Sequence, residues 1–129
     1  MSETLNKILY VEDEPDIQAV AKLALESVGG FEVLICSSGA EALEQATAFK
    51  PDVFLLDVMM PGMDGPDTLV ALLKTEDLEN TPAIFLPAKA LPVGVKRYKN
   101  LGALGVIPKP FGPMTLAEQV KEIWGRRNG

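Results

Sequence analysis

The residues best suited to chemistry in this chain are an acidic cluster, a single aspartate and a lysine. Glu12-Asp13-Glu14 closes the apolar run Lys7-Ile-Leu-Tyr-Val11, and Asp57 closes a second run, Val53-Phe-Leu-Leu. An unbroken apolar run of this length reads as a fully buried strand. Its charged last residue then falls at the carboxyl end, where open α/β sheets keep their sites. Taken alone, Asp57 is read equally well as an ordinary strand-end acid before the Pro61-Gly62 turn. If the first and third strands are sheet neighbours, Glu12, Asp13 and Asp57 share one crevice. Like charges that close raise one another's pKa unless a cation sits among them. Oxygen donors without His or Cys suit Mg²⁺. Lys109, after the fifth apolar segment, adds a point charge. Acids, a divalent cation and a lysine together suit phosphoryl transfer, in which positioning and charge neutralisation supply the catalysis.

Those residues require strands that end side by side, and the chain alternates strand and helix. Pro15 suits a first helical turn, and Ile17, Val20, Ala21, Ala24 and Val28 form one apolar stripe. Gly29-Gly30 stops that helix. Residues 31–36 form the second strand. Ser38-Gly-Ala-Glu41 is a capping-box pattern that opens a helix running to about Lys50. Residues 53–57 are the third strand, and Pro66 restarts a helix with Leu69, Leu72 and Leu73 on one face. Residues 82–86 predict a fourth strand, 93–101 a helix and 105–107 a short fifth strand. A last helix from Pro113 turns Leu116, Val120, Ile123 and Trp124 inward. Five such units with short connections imply a parallel sheet between helices, joined by right-handed crossovers. Residues 1–6 and 125–129 read as loose ends.

With 129 residues the chain is read as one domain. Its 47% hydrophobic and 23% charged content are globular values. The single Cys36 excludes an internal disulfide and reads as a buried apolar residue in a reducing compartment. No signal peptide or long apolar run is present, so a soluble cytoplasmic protein without membrane insertion is expected. A net charge of −6 argues against nucleic-acid binding. The charge is uneven: residues 1–90 hold 16 acids and 5 bases (−11), and 91–129 hold 2 acids and 7 bases (+5). With no His in the chain, His-based triads, His metal sites and an internal phosphohistidine are excluded.

Val11-Glu12-Asp13-Glu14, Leu56-Asp57-Val-Met-Met-Pro61-Gly62 with Asp64-Gly65, and Lys109-Pro110-Phe111 occur in order and on the expected elements. In these pieces the chain resembles the receiver domain of bacterial two-component response regulators, over about residues 5–125. The resemblance implies a flavodoxin-like, doubly wound five-stranded parallel sheet of order 2-1-3-4-5 with helices on both faces. It implies that Asp57 accepts a phosphoryl group from the phosphohistidine of a sensor histidine kinase or phosphotransfer protein. Asp13 and Asp57 would ligate Mg²⁺, or Mn²⁺, with the Met59 carbonyl, and Glu12 would act through a bound water. Lys109 and the Ala88 backbone would contact the phosphoryl group. The Lys109–Pro110 bond would be cis, which X–Pro bonds tolerate at low cost.

The chain departs from that family at two places. Pro87 stands where a Ser or Thr would bond the phosphoryl group, and it has neither hydroxyl nor N–H. A strand end accommodates it sterically. Val106 stands where a Tyr or Phe would rotate inward. A hydrogen bond to a charged group is worth about 1.5–3 kcal/mol, and a full two-state switch needs roughly 5.5 kcal/mol. Losing one bond therefore removes about a quarter to half of the coupling and leaves the chemistry at Asp57 almost intact.

Three functions follow as expectations. The first is a phospho-receiver, monomeric or weakly dimeric, that reacts only at its own side chain and is not an enzyme on other substrates. The chain ends soon after the fifth helix, so output is expected from another protein, unless the chain is cut from a longer regulator. A downstream protein would dock on the face of helix four, strand five and helix five, where Lys96, Arg97, Lys99, Lys121, Arg126 and Arg127 are either a partner site or a solvated surface. The alternative is a phosphorylation-independent interaction module. The third, an aspartate-based phosphohydrolase, is disfavoured because Met59 stands where the second Asp would be. Met59, Met60 and Met63 read as a partly buried loop over the site, and Met59 and Lys89 flank it.

Overall fold

A computed structural model describes residues 4–89 and 91–128. Its elements are β1 (Lys7–Val11), α1 (Pro15–Lys22), a π-helical turn (Leu23–Val28), β2 (Glu32–Cys36), α2 (Gly39–Phe49), β3 (Val53–Asp57), α3 (Gly65–Leu73), β4 (Ala83–Leu86), α4 (Pro92–Asn100), β5 (Ala103–Val106) and α5 (Leu116–Gly125), followed by a 3₁₀ turn (Arg126–Asn128). The five strands pair in parallel in the order β2-β1-β3-β4-β5, as expected. Side chains alternate across the strands, and this splits the core in two. Ile8, Tyr10, Leu55, Ile84 and Leu86 face one helical layer with Ala21, Ala24, Leu25, Leu116, Val120 and Ile123. Leu9, Val11, Phe54, Leu56 and Phe85 face the other with Ala42, Ala46, Leu69, Leu72 and Tyr98. Every residue of β3 is buried, because a central parallel strand is covered on both faces.

Several sequence expectations shift. The first helix buries only part of the predicted stripe: Ala21 and Ala24 are buried and Ile17 half-buried, but Val20 and Val28 are exposed and Leu25 is buried instead. The helix widens after Lys22, with Gly29 N–H reaching back five residues to the Ala24 carbonyl at 3.1 Å. That wider turn rotates the later side chains off the 3.6-residue period. At α2 the capping box holds on one side, since the Ser38 hydroxyl accepts from Glu41 N–H at 3.1 Å. The Glu41 carboxylate reaches the N–H of Ser37 rather than that of Ser38. Pro82 lies outside β4, but its carbonyl accepts from Phe54 N–H at 2.9 Å.

The fifth strand begins at Ala103, which pairs with Ala83, and a register irregularity follows before Gly105 pairs with Ile84. Ile107 lies beyond that strand, although its N–H still bonds the Phe85 carbonyl at 2.9 Å. The last helix begins at Leu116, not Pro113. Before it, the N–H groups of Thr115 and Leu116 both return to the Gly112 carbonyl, closing a separate turn. Trp124 is partly buried, with the Arg127 guanidinium 3.3 Å from its ring. The amino-terminal segment is tied down from Leu5, which is buried, and Asn6 N–H bonds the Asp52 carboxylate at 2.9 Å. The expectation of looseness at residues 1–3 and 129 lies outside the described residues.

Candidate functional site

The site forms where β1, β3 and β5 end. β1 and β3 are direct neighbours, with Val11 opposite Leu56, so the acids that follow them converge. Carboxylate oxygens of Glu12, Asp13 and Asp57 lie within 4.8 Å of one another. Glu12 is completely buried and Asp57 is 3% exposed. Asp13 is half-buried.

Lys109 crosses from the loop after β5. Its ammonium sits 2.9 Å from Asp57 Oδ1 and 3.3 Å from Glu12 Oε1. Its backbone N–H bonds the Pro87 carbonyl at 2.8 Å, which fixes that loop to the end of β4. The Lys109–Pro110 bond is cis. Asp57 Oδ1 also accepts from Val58 N–H at 2.9 Å.

The loop between β3 and α3 is shaped by two glycines. Gly62 has φ +76°, a backbone conformation that disfavours side chains. At Gly65 a Cβ would collide with the Asp57 carbonyl oxygen, so only glycine lets α3 start directly against the end of β3. Asp64 caps that helix by accepting from Asp67 N–H at 2.8 Å. Of the three methionines, Met60 is buried, Met63 half-buried and Met59 83% exposed.

The charges are unbalanced: three carboxylates face one ammonium. Burial pushes the Glu12 carboxyl above the ordinary carboxylate range, and the Asp57 charge adds to this. The Glu14 N–H, the Lys109 ammonium and the Tyr10 hydroxyl pull the other way without cancelling it. For Lys109, burial works against the charge, but the hydrogen bond to Asp57 and the charges of Asp57 and Glu12 outweigh it and raise its pKa.

Sequence reading missed Tyr10. Its ring is fully buried in β1 and its hydroxyl donates to Glu12 Oε1 at 3.0 Å. Burial, then the Glu12 charge, keeps this phenol protonated far beyond its usual range. The signal was present: Tyr10 lies two residues before Glu12, and alternation along a strand puts them on one face.

The structure places Glu12, Asp13, Asp57 and Lys109 together. Pro87 is buried just after β4 and Ala88 is exposed beside it. Val106 pairs with Phe85 in the sheet and is half-buried. Lys96, Arg97, Lys99 and Lys121 are exposed, and Arg126 pairs with Glu122 at 2.7 Å.

The donor set fits a hard divalent cation: clustered carboxylate oxygens, no sulfur or imidazole, and excess negative charge for the ion to neutralise. Among the described residues no helix is long and apolar enough to cross a membrane.

Comparison with known proteins agrees with the geometry. The family model "Response regulator receiver domain" matches residues 8–121. The transcriptional regulatory protein CpxR of Escherichia coli K12 is 37% identical over 122 residues, which are 95% of this chain and 50% of that protein. CseB of Streptomyces coelicolor is 36% identical over 92% of this chain and 49% of its own length. The chain thus spans about half the length of the curated relatives it matches. Among solved structures, Vibrio cholerae CheY4 superposes with a TM-score of 0.86 at 31% identity, covering 93% of this chain and 99% of that one. The signal receiver domain of a Syntrophus aciditrophicus histidine kinase gives 0.79 at 33%, covering 96% and 94%.

Proposed function

The chain belongs to the response regulator receiver domain family, and from that premise we propose that it accepts a phosphoryl group on Asp57 and presents that state to a protein partner. The observation that carries this reading is the Lys109 ammonium, held 2.9 Å from Asp57 Oδ1 beside carboxylates whose oxygens lie within 4.8 Å. The Asp57 carboxylate attacks the phosphorus of a phosphohistidine. The bond to the histidine nitrogen breaks, and an acyl phosphate forms on Asp57. Lys109 then exchanges its carboxylate partner for a phosphoryl oxygen, and the Ala88 backbone provides a further contact. Asp13, Asp57 and the Met59 carbonyl, with Glu12 behind them, would hold Mg²⁺ or Mn²⁺. Such an ion supplies neutralisation of the charge that builds up on the transferring group. The reaction stays on the protein's own side chain, so no turnover of another substrate is proposed.

The phosphoryl donor is a sensor histidine kinase or phosphotransfer protein. The downstream protein docks on the face of α4, β5 and α5. Residues 5–125 act as one receiver unit.

A second reading has its own support. Pro87 and Val106 stand where a hydroxyl and an aromatic ring would couple the phosphoryl group to that face, which favours a module that binds partners regardless of phosphorylation. Incubation with acetyl phosphate and Mg²⁺ separates the two. A mass gain of one phosphoryl group in the wild type, absent in Asp57→Asn, is the expected result. An unchanged mass at millimolar donor would overturn the phosphoryl-accepting reading in favour of the second.

A further inference from the structure

Tyr10 is a buried polar group for which the chemistry at Asp57 leaves no role. It sits in β1 with its ring fully buried, and its hydroxyl donates to Glu12 Oε1 at 3.0 Å. The same oxygen accepts from the Lys109 ammonium at 3.3 Å, and Oε2 accepts from Glu14 N–H at 3.2 Å. The two donors to Oε1 respond differently to a cation entering among Glu12, Asp13 and Asp57. The Lys109 ammonium carries the same sign of charge, so the cation repels it. The phenol is neutral and wedged in the core, so it stays.

We infer that Tyr10 is a positioning residue for the acidic cluster, holding Glu12 Oε1 so that the carboxylate keeps one orientation when a divalent cation binds. Phenylalanine at position 10 fills the same space but leaves Lys109 as the side-chain donor to Oε1, while Glu14 N–H keeps Oε2, and the tightened Lys109–Oε1 pair competes with the cation. The inference rests on the metal-binding part of the reading above.

Titration calorimetry with Mg²⁺ tests it. Tyr10→Phe should weaken binding about tenfold, the lower end of what loss of a hydrogen-bond partner behind a metal site costs. Thermal unfolding without Mg²⁺ should shift down as well, because a buried hydrogen bond to a charged group is lost, so affinity is measured well below the transition. In a Glu12→Gln background the same substitution should have no further effect on affinity, because the two residues act as a pair. A wild-type chain that takes up no Mg²⁺ at millimolar concentration would overturn the metal reading and this inference with it. Wild-type binding matched within about twofold by Tyr10→Phe would overturn the inference alone. An equal loss in the Glu12→Gln background would do the same. A further readout needs no variant: the ring-carbon resonances of Tyr10 should shift in step with Mg²⁺ saturation, and resonances that stay fixed count against the role.

Discussion

The backbone N–H of Lys109 donates to the carbonyl of Pro87 at 2.8 Å. The strand-end residue that lacks a hydroxyl therefore still anchors the loop that brings the ammonium to Asp57. Proline at this position removes a side-chain contact but leaves the scaffold of the site in place. On the proposed function, chemistry at Asp57 and its transmission to the α4 face are thereby separable.

Pro87→Thr tests that separation. It keeps the anchoring carbonyl and adds a hydroxyl. A hydrogen bond to a charged group is worth about 1.5–3 kcal/mol, so affinity for the phosphoryl mimic trifluoroberyllate with Mg²⁺ should rise about tenfold or more. Titration followed by NMR reads the affinity and, through α4 and β5 resonances, the response of the face. An unchanged affinity would show that a hydroxyl at position 87 does not reach the site.

Glu12 makes stability depend on pH in a definite direction. Its folded-state pKa is raised above the ordinary 4.5 by burial and by Asp57. The folded protein therefore holds a proton there that the unfolded chain has released, and stability falls as pH rises from about 4.5 through the folded value. Without divalent cations, Glu12→Gln should gain stability relative to the wild type over that interval and keep the gain above it. Urea unfolding from pH 4 to 8 measures the difference. A difference that does not change with pH would refute this account.

Cys36 should be silent in the native protein. Burial, with the Glu41 charge behind it, pushes the thiol up to about 12, and the thiolate is the reactive form. Ellman's reagent at pH 8 should label it only as fast as the fold opens, and the rate should climb with urea. Immediate stoichiometric labelling in buffer would contradict the burial.

Tyr98 is the buried side chain of α4, its ring 4.9 Å from that of Phe85 on β4. Truncating a buried aromatic to Ala typically costs about 3–5 kcal/mol. Tyr98→Ala should approach that cost and loosen α4, whereas Tyr98→Phe should stay within about 1 kcal/mol, since the phenol is a minor part of the packing. Urea unfolding gives the first quantity, and amide exchange across residues 92–100 gives the second.

Much of this protein is legible along the chain because the relevant physics is local. The apolar run ending in Asp57 already requires a strand covered on both faces. Pro-Gly turns, the Ser38 cap and the alternation of periods require five repeated units. Glu12, Asp13, Asp57 and Lys109 could be chosen because acids and a lysine at strand ends have few other uses together.

What the chain alone could not fix depends on contacts distant in sequence. Val28 fits a regular helical stripe, but the wider turn after Lys22 leaves it exposed and buries Leu25 beside Ala24. The start of β5 at Ala103 is set by its pairing with Ala83 of β4. Lys109 meets Glu12 across 97 positions of sequence. The sequence by itself determined the fold class and which acids and lysine meet at the strand ends, through hydrophobic period and side-chain chemistry. Only the tertiary structure decided which charges surround each carboxylate, because the Lys109 ammonium reaches Glu12 and Asp57 only once β1, β3 and β5 end side by side in one sheet.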